Sequence, residues 1–275
     1  MAVIAGLLAT VSQAWVPTLW DLAAHWGSSR YAAHGVCVTI FAAYAAWDRR
    51  VALPDVAWRS RPAGVLALAL SLVMLALGYS EDSLTVRALS LALASLAVVV
   101  LAWGIDGART LAFPVGFLLL AVPLPPRVVG RLSALAQSLA AAVAEHVLGA
   151  LDVPVVRHGQ TFSLRQLDVV ITEDCDGLPF LFAAIVVGIA GAWAVGMPAR
   201  QRLTIVVLAV TAGIVANLVR VGGTVVLAWI EPAAVVGIPH QVFGKIVYLV
   251  VGVCAAAVAI RLARRARGVA TAASR

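Results

Sequence analysis

The sequence has few charged residues and almost no lysine. Only 12% of its 275 residues are charged, whereas 63% are hydrophobic, and the mean hydropathy is +1.00. Lys245 is the one lysine, so the net charge of +7 comes from arginines. These arginines lie in short segments between apolar runs, which argues against a nucleic-acid-binding face. The composition also excludes an ordinary water-soluble domain and predicts a polytopic membrane protein.

Cysteine is scarce as well, with residues only at positions 37, 175 and 254. No Cys-x-x-Cys pair occurs, and no His/Cys spacing suits a zinc site. We therefore expect no metal and no other bound cofactor. Cys37 and Cys254 lie deep in apolar stretches, where a small buried hydrophobic role is the usual one. Cys175 differs because it precedes an apolar run, in the sequence Glu-Asp-Cys-Asp-Gly.

Hydrophobic runs predict an all-α fold with about eight transmembrane helices, because ~20 apolar residues cross the hydrocarbon core. The predicted spans are 3–20, 33–48, 63–80, 84–104, 108–124, 177–196, 203–220 and 242–261. The polar stretch Gly-Ile-Asp-Gly-Ala-Arg forms a tight turn between the fourth and fifth spans. We expect one membrane-embedded domain over residues 1–275.

Arginine placement orients these spans by the positive-inside rule. The basic segments contain Arg49, Arg50, Arg59 and Arg61, then Arg109, then Arg200 and Arg202, and finally the tail 262–275 with its preceding Arg261. With these segments in the cytoplasm, both termini are inside and the alternation is consistent. The sequence thus predicts a multi-pass protein of the inner (plasma) membrane.

The long segment 127–174 forms an extracytoplasmic insertion in this topology. Residues 127–150 carry leucine and valine at helical spacing, which predicts an amphipathic helix lying in the membrane interface. A shorter stretch with alternating apolar residues follows, and Gly159 suits a turn within it. We expect a small β-hairpin that leads directly to Cys175.

The same topology brings three reactive residues to one membrane face. Cys175 begins the sixth span from outside, the seventh span returns and ends at Arg220, and His240 precedes the eighth. A thiol, a guanidinium and an imidazole together can supply a nucleophile, an anion stabiliser and a proton carrier. Acidic neighbours disfavour a thiolate at Cys175, whereas a helix N-terminus favours one. An enzyme with an extracytoplasmic active site is the first hypothesis.

Six short motifs in this order resemble the exosortase/archaeosortase family. They are His34-Gly35, Pro-Leu-Pro-Pro at 123–126, a β-like stretch, Cys175-x-Gly177, Asn217-x-x-Arg220-Val221 and the late His240. The resemblance implies a membrane cysteine protease or transpeptidase that cleaves C-terminal sorting signals of the Pro-Glu-Pro type on exported proteins. It further implies that Cys175 is the nucleophile and that Arg220 and His240 complete the catalytic site. Many members have Cys-Ser-Gly where this chain has Cys-Asp-Gly.

Supporting roles follow for several neighbouring residues. Asn217 either positions Arg220 through an interhelical hydrogen bond or takes part directly, and Asp176 suits a helix cap better than a metal ligand. Gly177 belongs to the Cys-x-Gly motif. The candidate substrate-binding residues are His34, which falls in the His-Gly motif, and Arg157 and Arg165, which can pair with a glutamate of the signal. A solvated hairpin face explains the two arginines equally well.

Two alternatives come from other functional classes. In a transporter or channel, Asn217, Arg220 and His240 would line a substrate path and Cys175 would be incidental. The polar residues collect at one membrane face and no inverted repeat is evident, which disfavours this alternative. An intramembrane hydrolase would instead use the carboxylates of Asp174 and Asp176. Residues at such close spacing on a helix point in different directions, which suits shared catalysis poorly.

Overall fold

The computed structural model describes residues 13–55, 61–164, 167–235, 242–255 and 261. The chain divides into two compact units, Met1–Pro126 and Arg127–Arg275. Helices dominate both units, and the sheet found in the described part of the chain belongs to the second unit. The helical class expected from the composition is therefore confirmed.

The described part of the first unit consists largely of apolar helices. In chain order they are α1 (Val16–Ser28), α2 (His34–Arg49), α3 (Pro62–Ser80), α4 (Leu84–Thr110) and α5 (Ala112–Phe117), followed by a 3₁₀ turn, Leu118–Ala121. Proline stands in the first turn of α1 and α3, where its missing N–H costs no helical hydrogen bond. The Ser83 side chain begins α4 by accepting a hydrogen bond from the Val86 N–H.

A kink at Gly104 divides α4 where the sequence predicts the end of a span. Gly104 has a φ of +75°, which breaks the helical conformation inside the element. Such a break leaves the carbonyl groups of the preceding turn without helical partners. The Arg61 guanidinium donates to the Val100 and Leu101 carbonyls at 3.0 and 2.8 Å. This arginine of a basic segment thus also caps a helix end.

A buried arginine links α4 to α1. Arg87 is only 8% exposed, and it donates to the Asp21 carboxylate at 2.5 Å. Its guanidinium also lies 4.8 Å from the centre of the Tyr79 ring. A charge among apolar helices needs such partners because the surroundings offer no water. This ion pair therefore fixes α1 against α4.

We expect Asp21→Asn to destabilise the protein by about 2 kcal/mol, which corresponds to a midpoint of thermal unfolding in detergent roughly 5 °C lower. The loss is smaller than the ~3–5 kcal/mol of a fully buried pair because half of the Asp21 side chain is exposed. Asp106→Asn is the control, since Asp106 and Arg109 form an exposed ion pair. That control should change the midpoint little. Equal shifts in the two variants would contradict the structural role of Arg87.

Three side chains hold the stretch that leads into Pro123–Pro126. Their hydrogen bonds run from Trp26 to the Ala121 carbonyl (3.0 Å), from His34 to the Leu120 carbonyl (3.0 Å) and from Thr85 to the Pro123 carbonyl (2.8 Å). Gly35 lies against the Trp26 indole, and a Cβ there would lie 2.3 Å from the ring nitrogen. The His-Gly motif therefore binds the turn that leads into the Pro-Leu-Pro-Pro motif, although the two motifs are distant in sequence.

The second unit combines long helices with a small sheet. Its elements are α6 (Pro126–Ala150), β1 (Val156–His158), β2 (Thr161–Ser163), β3 (Asp168–Val170), a 3₁₀ turn (Glu173–Cys175), α7 (Leu178–Ala194), α8 (Ala199–Ile230) and α9 (Val242–Ala255). The three strands are antiparallel in the order β1-β2-β3, with Phe162 opposite both Arg157 and Val169. Gly159 has a φ of +65° and makes the predicted turn. The hairpin expected from the alternation thus has a third strand.

The core of the second unit lies between α6, the sheet and the last turns of α8. Its fully buried residues include alanines of α6, Phe162 of the central strand and two valines of α8: Ala140, Ala141, Ala144, Leu148, Val153, Phe162, Ile171, Val221 and Val225. The small alanine side chains allow close helix packing, and Phe162 fills the space above them. Segment 127–174 is therefore anchored on the part of α8 that follows Arg220.

The predicted count of eight spans is not confirmed. Five helices in the described part are long and apolar enough to cross a membrane: Pro62–Ser80, Leu84–Thr110, Pro126–Ala150, Glu173–Ala194 and Arg200–Ile230. Predicted spans 33–48 and 108–124 correspond to shorter helices, and so does the described part of span 242–261, Val242–Ala255. Residues 3–12 and 256–260 of the predicted spans and the tail 262–275 lie outside the described residues. The helix predicted over 127–150 exists, and its position along the interface stays a prediction.

The helix of the predicted seventh span does not end at Arg220. Helix α8 continues to Ile230. Asn217, Arg220 and two glycines in an apolar run resemble a helix terminus in the sequence. In the folded chain the two polar side chains have partners outside α8, so the helix has no reason to stop there.

Candidate active site

Cys175 lies in a tight turn between the sheet and α7. The turn is the 3₁₀ segment Glu173–Cys175, in which the Cys175 N–H donates to the Thr172 carbonyl at 2.8 Å. The side chain is half-buried and packs against the core formed by α6, the sheet and α8. Cys175 thus precedes the first residue of α7, Leu178, by a short linker instead of lying within the helix.

Asp176 forms the cap of α7 and ties it to α6. It is 2% exposed, and one carboxylate oxygen accepts the Leu178 N–H at 2.9 Å. The other oxygen accepts the Ser133 hydroxyl at 2.7 Å, and Gln137 donates to that hydroxyl at 2.9 Å. Asp176 thus makes the kind of hydrogen bond expected of a residue at a helix start, and its charge is met by donors from two elements. Its supporting role in the site stays a prediction.

Gly177 makes a close approach that no other residue could make without strain. Its φ is +73°, in the left-handed region that favours glycine. A Cβ at this position would lie 2.5 Å from Cγ of Asn217. The Cys-x-Gly motif therefore has a physical basis in both backbone conformation and space.

Asn217 of α8 hydrogen-bonds to the backbone of the Cys175 turn. Its side-chain amide donates to the Cys175 carbonyl at 3.0 Å and to the Asp176 carbonyl at 3.1 Å. Its oxygen accepts a hydrogen bond from the Tyr248 hydroxyl at 3.0 Å. The expected interhelical hydrogen bond therefore exists, but it goes to the turn and to α9.

Arg220 reaches the same turn from one helical turn further along α8. It is 7% exposed and donates to the Asp174 carbonyl at 2.5 Å. Its guanidinium lies 5.9 Å from the centre of the Tyr248 ring. Gly244 leaves room for it, since a Cβ there would lie 3.2 Å from Cδ of Arg220. Residues three apart on a helix share a face, so Asn217 and Arg220 act on one target.

The start of α7 offers fewer backbone donors than an ordinary helix N-terminus. The Leu178 N–H is already bound by Asp176. Pro179, next in the first turn, has no N–H to donate. Arg220 is a cationic donor bound to the same turn as Cys175, and it has five N–H groups, one of which donates to the Asp174 carbonyl.

The motif order agrees with a comparison to protein families. The family model for transmembrane exosortases matches residues 26–257 of the chain. The chain belongs to the transmembrane exosortase family. The matched range includes every motif residue from His34 to His240. Searches of curated proteins and of solved structures found no match.

The exosortase structure brings together most, but not all, of the predicted site residues. Cys175, Asp176, Gly177, Asn217 and Arg220 form one contiguous cluster. His240 and Arg165 lie outside the described residues, so their roles stay predictions. Among the residues with a described position, no group of three His, Cys, Asp or Glu could hold a metal ion.

Two candidate substrate-binding residues of the exosortase have partners within the chain. Arg157 donates to the Glu145 carboxylate and to the Gly159 carbonyl, both at 2.7 Å. The ring of His34 donates to the Leu120 carbonyl in the first unit. Both residues thus have structural contacts of their own, and their binding of a substrate stays a prediction.

Three residues of the site have little signal in the sequence. Ser133 and Gln137 lie four apart on α6, and both are buried next to Asp176. That spacing on an otherwise apolar helix face is a weak indication of a shared polar contact. Tyr248 lies within an apolar run of α9, where an aromatic residue is usually a packing residue. Only the fold reveals its bond to Asn217.

An apolar cavity of about 620 Å³ adjoins the exosortase site between α7, α8 and α9. Phe180, Ala216 and Tyr248 line the part next to the Cys175 turn, and Val195 and Met197 line the part near the other end of α7. Small residues such as Gly188 and Gly213 form much of its wall. Asn217 and Arg220 do not line this cavity, because their side chains point to the turn.

Proposed function

We propose that this exosortase is a cysteine peptidase or transpeptidase that cleaves the C-terminal sorting signal of exported proteins at the outer face of the membrane. The observation that carries the proposal is that two buried side chains of α8 hydrogen-bond to the backbone of the Cys175 turn. Asn217 and Arg220 together bind the carbonyls of Asp174, Cys175 and Asp176. Two buried polar side chains bind this one short turn. This indicates that the exact position of its backbone is important for the function of the site, beyond any contribution to packing.

The proposed reaction starts with the Cys175 thiolate. Its sulfur attacks the scissile carbonyl carbon, and the remaining donors of Arg220 stabilise the tetrahedral oxyanion. The C–N bond then breaks, the leaving amine takes a proton from His240, and a thioester to Cys175 remains. Water or an amine acceptor attacks that thioester and regenerates the thiol. No metal or organic cofactor is needed for these steps.

The contacts of Asn217 and Arg220 argue against the transporter alternative. A transport path would be lined by polar side chains that face an open space. Here both side chains bond to backbone carbonyls, and the cavity beside them has an apolar wall.

The contacts of Asp176 argue against a hydrolase that uses paired carboxylates. Asp176 is buried and bound to Ser133 and to the Leu178 N–H, whereas Asp174 is exposed. Two carboxylates in such different surroundings are poorly placed to share one reacting group.

The proposal is tested with a reporter that carries a C-terminal sorting signal and is co-expressed with the exosortase. We expect Arg220→Lys to lower the rate of reporter cleavage about 100-fold and Arg220→Met about 1,000-fold, in the range known for loss of an oxyanion donor. Lysine keeps the charge but lacks the planar fork that can bind a carbonyl and an oxyanion together.

Arg202→Lys is the matched control for Arg220. Arg202 also lies on α8 and also donates to a backbone carbonyl, that of Met197 at 2.6 Å, but at the opposite end of α7 from Cys175. We expect reporter cleavage within about twofold of the parent chain, because an ordinary hydrogen bond far from the site contributes to stability alone. Similar losses in the Arg202 and Arg220 variants would contradict a catalytic role for Arg220.

A further inference from the structure

Tyr248 is the one residue of α9 with a described hydrogen bond to the Cys175 cluster. Its hydroxyl donates to the Asn217 oxygen at 3.0 Å. Its ring stacks on Phe180, in the first turn of α7, with ring centres 3.8 Å apart and planes 13° apart. The Arg220 guanidinium lies over the same ring. Tyr248 therefore contacts the start of α7 and the two residues of α8 that bind the Cys175 turn, Asn217 and Arg220.

The hydrogen bond from Tyr248 completes the bonding of a buried amide. Asn217 is 6% exposed, so water does not satisfy its oxygen. The two N–H groups of the amide already bind the Cys175 and Asp176 carbonyls. A buried oxygen without a donor destabilises the arrangement and lets the amide turn. A donor on that oxygen also polarises the amide and strengthens its own N–H bonds.

We propose that Tyr248 is a positioning residue of the active site, whose hydroxyl holds the Asn217 amide and thereby the backbone of the Cys175 turn. The inference rests on the proposed role of Cys175 as nucleophile. The ring is held on one side by Phe180, so the hydroxyl is aimed at Asn217 without depending on the substrate. In this account Tyr248 acts through Asn217.

The experiment is a double-mutant cycle of Tyr248→Phe and Asn217→Ala. Tyr248→Phe keeps the stacked ring and removes only the hydroxyl. We expect it to lower kcat for reporter cleavage about tenfold with KM within about twofold, the size of one buried hydrogen bond. In the Asn217→Ala background the same substitution should change kcat less than about twofold, because coupled residues are not additive.

A second readout needs no substrate. In a chain whose exposed Cys37 and Cys254 are replaced by alanine, a thiol reagent reports the accessibility of Cys175 alone. We expect Tyr248→Phe to raise the alkylation rate at least about threefold, because the half-buried thiol is freed as the turn loosens. Tyr79→Phe is the control: it removes the hydroxyl of a tyrosine in the first unit that bonds Thr18 and should leave the rate unchanged.

Two results would overturn the inference. One is an alkylation rate that stays the same or falls in Tyr248→Phe. The other is an equal loss of kcat from Tyr248→Phe with and without the Asn217 amide, since Tyr248 would then act independently of Asn217. If the parent chain cleaves no reporter, the proposed function fails. The alkylation rate of Cys175 in Tyr248→Phe still decides whether Tyr248 positions the turn.

Discussion

Cys175→Ala should abolish cleavage of the sorting-signal reporter while the protein still inserts into the membrane at its normal level. Removal of the nucleophile from a covalent mechanism lowers kcat by at least about 10⁴-fold, because no other group can form the intermediate. The thiol packs against the core but is only half-buried, and alanine keeps its Cβ. We therefore expect little change in stability, which separates the loss of chemistry from misfolding.

The other cysteines and Asp176 supply the controls for this result. Cys37→Ala and Cys254→Ala should cleave the reporter normally, since both side chains are exposed on apolar helices and not buried as the sequence suggested. Asp176→Asn should be slower by roughly tenfold, because asparagine can still cap Leu178 but loses the charged bond to Ser133. Full activity of Cys175→Ala together with loss in Asp176→Asn would reverse the assignment in favour of the carboxylate mechanism.

A covalent mechanism also predicts a detectable intermediate in the same experiment. A thioester between the reporter and the exosortase should form in the parent chain and be released by hydroxylamine, which attacks thioesters readily. The adduct should be absent from Cys175→Ala. An adduct that still forms in Cys175→Ala would remove the nucleophile role from Cys175.

The local signals in the sequence predicted the elements of the site but not their partners. Apolar runs are enough to predict α7 and most of α8, and Gly159 is enough to predict a turn. The sequence predicts a helix end at Arg220, because a charged residue after an apolar run usually meets water, and it predicts an interhelical partner for Asn217. Both side chains bind carbonyls more than 40 residues earlier in the chain. The hydrophobic periodicity of a sequence does not predict a contact at that separation.

The motifs of the first unit illustrate the same limit. His34-Gly35 and Pro123–Pro126 were separate motifs in the sequence, and His34 was a candidate for substrate binding. In the fold, His34 and Trp26 satisfy carbonyls that the 3₁₀ turn before Pro123 leaves open. Backbone groups without a helical partner need donors from elsewhere, and which side chain supplies them depends on packing that the sequence does not reveal.

The acidic surroundings of Cys175 have a structural explanation. The carboxylate of Asp176, which follows Cys175 in the chain, accepts hydrogen bonds from the Leu178 N–H and from Ser133, which disperse its charge. Arg220 brings a positive charge to the other side of the turn. In the Cys-Asp-Gly sequence of this chain, the aspartate therefore ties the Cys175 turn to α6 and to α7. Serine at that position would cap a helix with a shorter, neutral side chain.

Gly177→Ala should be nearly as damaging as the loss of Arg220, although it adds only a methyl group. The left-handed φ of +73° strains any residue with a Cβ by roughly 1–3 kcal/mol. The new Cβ would also lie 2.5 Å from Cγ of Asn217, so the amide has to move off the Cys175 and Asp176 carbonyls. We expect reporter cleavage to fall at least about 100-fold, since a displacement near 1 Å at a catalytic group has an effect of this size.

Two other glycines separate strain from displacement in this prediction. Gly159→Ala introduces the same kind of strain at φ +65°, with nothing within 4 Å of the new Cβ. It should lower stability by about 1 kcal/mol and leave cleavage within about threefold. Gly191→Ala, on α7 and also with open space around it, should have neither effect. If Gly159→Ala lost as much activity as Gly177→Ala, backbone strain alone would explain both. A Gly177→Ala variant with normal cleavage would show that the hydrogen bonds from Asn217 to the Cys175 turn are not needed for activity. The added methyl group cannot fit while those hydrogen bonds are intact.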